Sequence, residues 1–308
     1  MPAAALSTLP RVAVPPAAAP LLTAPDAVAA ILDRPDAALD YTEAKLGFDE
    51  IVDPAFGATA TAAELAHWAR AALDMACPSS DSGAKLRALR ILIYEPGPWN
   101  DCRPFAYDHD DPEGTKIENK LIANYLRTRR GNCVSMPILF LILGEALGLN
   151  VALATAPLHI FVRHRDEAGR TVNLETTSGA LPARDLWYRQ NMPMTDLALQ
   201  SGIYMRSLGR REGVAMMAGV VLEHLLRHGY FAEAEAVGAT ILRHSPHDTY
   251  AMVKRGTACA EMIEREYGTK YRSPFLIPPF LRPRYAFLAE TNRRCFATAE
   301  ALGWEPVE

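Results

Sequence analysis

The sequence predicts an α+β fold in which one central helix packs on a small antiparallel sheet, with further helices before and after this core. A polar turn leads into residues 138–149, a run too apolar for a surface helix. Two segments with alternating side-chain character follow at residues 159–163 and 171–175, and turn residues separate them. Outside this core, apolar side chains recur at three- and four-residue spacing, which is typical of helices.

Composition restricts the class of protein. The chain has 308 residues, of which 49% are hydrophobic, so it can bury a large core, and two subdomains are expected. The formal charge of -4 argues against a nucleic-acid-binding surface. No single-sign charge block indicates a membrane surface, and no apolar stretch reaches the length of a membrane span.

The cysteines indicate neither a disulfide framework nor a zinc site. They are an odd number, five, with no Cys-x-x-Cys spacing, and they stand at positions 77, 102, 133, 259 and 295. We therefore expect a reducing, cytoplasmic location and no metal or organic cofactor.

The chain before the polar turn is predicted to be an arm followed by helices. Residues 1–25 are rich in Ala and Pro, so a disordered arm is expected there. Helices are predicted at residues 42–48, 61–75, 82–93 and 116–128. Thr61 and Glu64 have the spacing of a capping box, which predicts that the second of these helices starts at Thr61.

The polar turn carries one cysteine to the start of the central helix. Asn132 is a favourable N-cap, and Pro137 is tolerated only in a first turn, so the helix cannot begin much before Cys133. The helix dipole there favours a thiolate over a thiol. The alternative is that Cys133 is a buried structural thiol.

A hairpin is predicted to bring two polar residues together. Residues 151–154 begin the first strand; His159 starts the second strand, and Glu175 ends the third. A cysteine, a histidine and an acid that converge form an acyl-transfer site, in which the imidazole deprotonates the thiol and the acid orients the imidazole. Asn173, on the same strand face as Glu175, is the alternative orienting residue.

Several polar residues near the predicted site have more than one interpretation. The backbone N–H of Cys133 is the expected oxyanion donor, and the side chain of Asn119 is a candidate second donor. Arg129 and Arg130 are candidates for binding an acidic substrate or are simply surface residues. His164 lies among charged neighbours and is expected to be solvated.

After the core, residues 181–210 are predicted to be an irregular to helical connector. Helices are predicted at residues 214–228 and 232–244, with a break at Gly229-Tyr230, and a further helix at residues 247–267. Residues 271–283 are Pro-rich and precede a last predicted helix at residues 284–302.

These features together resemble a known family. Gly131-Asn132-Cys133 with its helix, residues 159–162 and residues 172–177 resemble the core of the transglutaminase-like superfamily, whose fold is papain-like. The resemblance extends to residues 46–54, 89–111 and 121–130. It is strongest for the bacterial SirB-type branch, in which tetratricopeptide-like helices follow the core, and it covers about residues 28–268.

The resemblance implies a division of the chain and a catalytic triad. A catalytic domain with a helical lead-in would occupy residues 26–210, and tetratricopeptide-like helices residues 211–268; the segment 269–308 lies outside the match. Cys133, His159 and Glu175 occupy positions that match the triad. The superfamily usually has Asp at the position of Glu175, whose side chain is one methylene longer.

The expected function is acyl transfer on an amide or ester through a thioester at Cys133, with amide formation, deamidation or hydrolysis as the outcome. One alternative is a non-catalytic protein that binds a partner through the tetratricopeptide-like helices, since many SirB-type members lack the cysteine. Another is a biosynthetic amide-forming enzyme for small acyl substrates. The expected partner is a peptide, protein or small amide or ester substrate, with no nucleic acid or membrane involved.

Overall fold

The computed structural model describes residues 23–76 and 81–306. The expected Ala/Pro-rich arm lies outside these ranges as far as residue 22, and the first helix begins at Ala24. The described chain combines many helices with a small antiparallel sheet, so the predicted α+β class is confirmed.

In the described part of the chain, four α-helices precede the core, and they include the first three predicted ones. They are α1 (Ala24–Leu32), α2 (Tyr41–Val52), α3 (Ala58–Ala76) and α4 (Ser82–Tyr94). The capping-box prediction is wrong, because α3 begins three residues before Thr61. The hydroxyl of Thr61 donates to the carbonyl of Gly57 at 3.1 Å, so Thr61 lies inside the first turn and does not cap it.

The helix predicted at residues 116–128 is interrupted. A 3-10 turn at Ile117–Lys120 is followed by α5 (Ile122–Thr128). Two buried side chains of α2 form hydrogen bonds with the backbone where the helix is interrupted. Asp49 accepts the N–H of Ile122 at 2.7 Å, and Lys45 donates to the carbonyl of Lys120 at 2.8 Å. These tertiary hydrogen bonds replace the bonds of a continuous helix.

The cysteine turn is held by a short strand pair. The strands β1 (Ala106–Tyr107) and β2 (Arg130–Gly131) pair in parallel, and β2 leads directly into the turn. The central helix α6 (Ser135–Ala146) follows and is buried from Ser135 to Gly144, as its apolar sequence predicts.

Pro137 explains where α6 begins. The N–H of Met136 donates to the carbonyl of Asn132 at 3.1 Å, and that of Ile138 to the carbonyl of Val134 at 3.4 Å. Between them Pro137 has no N–H, so the carbonyl of Cys133 receives no helical bond and the regular ladder starts after the cysteine.

The sheet has four antiparallel strands in the order of the chain. They are β3 (Val151–Ala156), β4 (His159–Arg165), β5 (Thr171–Glu175) and β6 (Leu181–Ala183). The first three are the predicted strands, and β3 and β4 pack against α6. The strand β6 lies in the stretch predicted to be irregular to helical; it has three residues and no buried one, so it lacks the alternation that identifies a strand.

Up to residue 306, where the described chain ends, seven α-helices follow the sheet. They are α7 (Asp185–Asn191), α8 (Asp196–Ser201), α9 (Arg210–Met217), α10 (Gly219–Arg227), α11 (Phe231–His244), α12 (Thr249–Ile263) and α13 (Arg282–Ala301). The helix predicted at residues 214–228 is divided at Ala218 into α9 and α10. The helices α10 and α11 pack on α2 and α1, so the two helical parts of the chain contact each other. None of the helices in the described ranges is both long and apolar enough to cross a membrane.

Candidate active site

Cys133 lies in the turn before α6 and is half-buried. The side-chain oxygen of Asn132 accepts the N–H groups of Val134 at 3.0 Å and Ser135 at 3.4 Å. The N-cap of α6 is Val134 and not Asn132 as predicted, so Asn132 satisfies these N–H groups from the turn before the helix. The hydroxyl of Ser135 accepts the N–H of Asn132 at 3.2 Å and donates to the carbonyl of Asn119 at 2.6 Å. These bonds fix the backbone on both sides of the thiol.

The backbone N–H of Cys133 is unused. It donates to no acceptor among the residues that the structure describes, and it stands next to the thiol. An N–H at a helix start that has no partner is suited to hold a developing oxyanion.

His159 connects the thiol to a carboxylate. Its Nε2 lies 2.8 Å from Oε2 of Glu175. The thiol of Cys133 donates to the carbonyl of Leu158, the residue before His159, at 3.8 Å, and it is close enough to the His159 ring to raise the pKa of that ring. Because Nε2 is engaged by Glu175, Nδ1 is the ring nitrogen left for the thiol. Burial lowers the pKa of His159, but the hydrogen bonds and charges of Cys133 and Glu175 outweigh it and raise the pKa to about 9.

Glu175 is buried, and both of its oxygens are satisfied. Oε2 accepts the hydroxyl of Tyr188 at 2.9 Å in addition to His159, while Oε1 accepts the N–H of Thr177 at 3.0 Å and its hydroxyl at 2.5 Å. Burial raises the pKa of Glu175, but the partners His159 and Thr177 hold it below the ordinary value. The carboxylate is therefore ionised and fixed in position.

The sequence analysis did not identify Tyr188 or Thr177. Tyr188 lies on α7, is fully buried and stacks on Phe161 with ring centroids 4.2 Å apart. Its hydroxyl reaches Glu175 only because β6 folds back along β5, and no local pattern in the sequence signals that turn. Thr177 lies two residues after Glu175, the last residue of β5. This proximity in sequence is the signal that could have identified Thr177 as a partner of the carboxylate.

Asn173 is not placed beside His159. Its side-chain amide donates to Asp185 at 2.6 Å and to the carbonyl of Ala183 at 3.2 Å, so it connects β5 to β6 and the start of α7. Glu175 lies two residues further along the strand, which moves its side chain by more than 6 Å, since a strand rises about 3.3 Å per residue.

The amide of Asn119 is also engaged elsewhere. It donates to Asp108 at 2.8 Å and to Asp111 at 2.9 Å, so both of its hydrogens are used and neither remains for an oxyanion. The side-chain N–H₂ of Asn132, by contrast, is buried without an acceptor in the described part of the chain.

The remaining polar residues of the turn and sheet lie apart from the triad. The guanidinium of Arg129 stacks on Trp68 and Phe105, 4.5 and 4.4 Å from their ring centroids, and Arg130 is exposed. The expectation that His164 is solvated is wrong: it is 4% exposed, and burial lowers its pKa. It lies on the sheet face that packs inward, which the neighbouring charged residues in the sequence obscure.

Cys133 and His159 line a cavity of about 310 Å³. The C-terminal helices α10 and α12 also contribute residues to its lining. In the described ranges no group of three or more His, Cys, Asp or Glu side chains is arranged to hold a metal ion.

Residues 59–187 match the family model described as Transglutaminase-like superfamily. The match runs from α3 to α7 and contains Cys133, His159 and Glu175. The resemblance to this superfamily is thereby confirmed for that segment, whereas the SirB-type branch and the tetratricopeptide-like character of the later helices stay predictions. Searches of the curated proteins and of the solved structures found no match.

Proposed function

We propose that the protein is a cysteine-dependent acyltransferase or amidohydrolase that forms a thioester at Cys133. The observation that carries this proposal is that His159 and Cys133 line one cavity, that the two side chains interact, and that Nε2 of His159 is held by the buried carboxylate of Glu175. That cavity is large enough for a substrate side chain, and the three residues lie within a transglutaminase-like domain.

In the first half-reaction, Nδ1 of His159 takes the thiol proton of Cys133, and the thiolate attacks the carbonyl carbon of an amide or ester. The carbonyl oxygen becomes an oxyanion, and the unused N–H of Cys133 donates to it. The imidazolium then gives its proton to the leaving amine or alcohol as the bond to the carbonyl carbon breaks, which leaves the thioester.

In the second half-reaction, His159 removes a proton from an entering amine or water, which attacks the thioester. The C–S bond breaks and the thiolate recovers the proton from the imidazolium. Amide formation, deamidation and hydrolysis share these steps and differ only in the leaving group and in the nucleophile that resolves the thioester. Glu175 stabilises the imidazolium in both halves.

The test is the rate of iodoacetamide labelling at each cysteine against pH, followed by peptide mass spectrometry. We expect Cys133 to label far faster than exposed Cys102 below pH 7 and to lose this advantage in His159→Ala. Cys259 and Cys295 are buried, which raises the pKa of both thiols, to about 12 for Cys259, so they provide slow references.

A 4-nitrophenyl ester then tests acyl transfer itself. A burst of one 4-nitrophenolate per chain, with one acyl group added at Cys133, supports the proposal, and Cys133→Ser should abolish both. Slow labelling of Cys133 at the same rate in the wild type and in His159→Ala would overturn the enzymatic proposal and favour a binding protein.

A further inference from the structure

One wall of the cavity that Cys133 lines carries a cluster of charged side chains around Glu223. Glu223 on α10 is buried and pairs with Lys120, 2.6 Å away, and with Arg227. The hydroxyl of Tyr250, on α12, donates to the same carboxylate at 3.1 Å. All four residues line the cavity.

Lys254 adds a third cation to this wall. Its ammonium lies 5.3 Å from the ring centroid of Tyr250 and forms neither an ion pair nor a hydrogen bond with any described residue. Lys254 is half-buried, and its pKa is lowered by burial; Glu223 opposes this effect, while Lys120 and Arg227 add to it. Three cations therefore surround one carboxylate.

The other described carboxylates that line the cavity form no ion pair with Lys254, Lys120 or Arg227. Glu212 forms a two-pronged pair with Arg206, at 2.5 and 2.7 Å. Asp248 caps α12 by accepting the N–H of Ala251 at 2.9 Å, and Glu113 is exposed.

We infer that this wall binds an anionic group of the substrate, a carboxylate or a phosphate, with Lys254 as its principal partner and Lys120 and Arg227 beside it. A half-buried ammonium without a counter-ion is costly, and an entering anion removes that cost while gaining charge-assisted hydrogen bonds. The inference rests on the proposed function, because it assigns the cavity to the substrate of Cys133. The acyl or amine substrate would then carry its negative charge on the part remote from the reacting carbonyl or amine.

The test uses small probes whose binding is measured by calorimetry on Cys133→Ser, which holds the cavity without its nucleophile. Glutarate and inorganic phosphate represent the two anion types, and glutaramide is the neutral match of glutarate. We expect at least one anion to bind and glutaramide not to bind. Lys254→Met, made in the same background, should weaken the anion by about tenfold, since it removes one charge-assisted contact and keeps the aliphatic stem.

Lys270→Met is the matched control, because Lys270 is exposed and does not line the cavity. It should leave anion binding unchanged. Equal binding of glutarate and glutaramide, no binding of either anion, or equal losses in Lys254→Met and Lys270→Met would each overturn the inference.

Protection of the thiol separates this inference from the proposed function. In the wild type, the bound anion should slow iodoacetamide labelling of Cys133 and leave that of Cys102 unchanged. A fast-labelling Cys133 without anion binding would overturn only the anion site. Anion binding beside an unreactive Cys133 would overturn the acyl-transfer proposal and the assignment of the anion to a substrate, and would leave an anion-binding cavity.

Discussion

Nε2 of His159 lies 2.8 Å from Oε2 of Glu175, and the same oxygen accepts the hydroxyl of Tyr188 at 2.9 Å. One carboxylate oxygen thus joins β4, β5 and α7 at a single point. The carboxylate fixes which nitrogen of the imidazole faces the thiol, and it stabilises the charged ring. The side chain of Glu175, which is one methylene longer than that of Asp, reaches the ring from the end of β5.

Glu175→Gln should slow the labelling of Cys133 by iodoacetamide at pH 6 by about tenfold or more, because thiolate reactivity depends on the charged imidazole. Without the carboxylate charge, the pKa of His159 falls from its value of about 9. The difference from the wild type should shrink at alkaline pH, where thiols ionise without help. The measurement is the pH profile of the labelling rate.

Asn173→Ala is the matched control for that change, since Asn173 lies on the same strand but contacts Asp185 and Ala183. It should lower the free energy of unfolding and keep the fast labelling. If the Asn173 variant lost the fast labelling and Glu175→Gln kept it, the orienting role would belong to Asn173.

Tyr188→Phe should lower the free energy of unfolding by about 1.5–3 kcal/mol, because it removes a hydrogen bond to a buried charged group. Tyr125→Phe is the control: its hydroxyl is buried and has no partner within the described ranges, so its loss should be neutral or slightly stabilising. Urea unfolding of both variants measures the contrast, and equal destabilisation would contradict the role given to Tyr188.

The local patterns of the sequence were sufficient to place the thiol, the imidazole and the carboxylate. The apolar run fixed α6, and the alternation of β4 and β5 placed His159 and Glu175 at neighbouring strand ends. Each of these patterns lies within one or two neighbouring helices or strands. At that range, the spacing of apolar side chains indicates which face of the element is buried.

What the sequence did not reveal depends on contacts between distant segments. Asp49 interrupts the helix before α5 from 73 residues away, and Lys120 meets Glu223 across 103 residues. The cluster that lines the cavity around Glu223 consists of such contacts. Periodicity indicates that α10 and α12 bury one face, but it does not indicate that their polar residues line the same cavity as a thiol on another element.

The stability of the protein should depend on pH through His159. Its pKa is raised from the ordinary 6.5 to about 9, so the folded state binds the proton more tightly than the unfolded state. This contribution is fully present below about pH 6.5 and is lost as the pH rises through 9; it amounts to at most about 3 kcal/mol.

Urea unfolding of the wild type and of His159→Gln at pH 6 and pH 10 measures the contribution of His159 together with its partners Cys133 and Glu175, because groups remote from the ring titrate alike in both proteins. The stability advantage of the wild type should shrink between the two pH values. A constant difference would show that the imidazole is not held as a cation.

Gly131→Ala should damage the cysteine turn. A Cβ at this position would lie 2.5 Å from Oγ of Ser135 and 2.6 Å from the ring of Tyr125. Neither can retreat, because Tyr125 is fully buried and the hydroxyl of Ser135 bonds the backbone of Asn119 and Asn132. We expect a loss of about 1–3 kcal/mol in the free energy of unfolding, together with slower labelling of Cys133.

Gly83→Ala, in α4, is the matched control. Its Cβ would meet neighbouring atoms only at 3.4 Å or more, so it should stabilise the protein by about 0.5–1 kcal/mol and leave the labelling of Cys133 unchanged. Fast labelling in a stable Gly131→Ala variant would mean that the turn tolerates a side chain and that its close packing does not position the thiol.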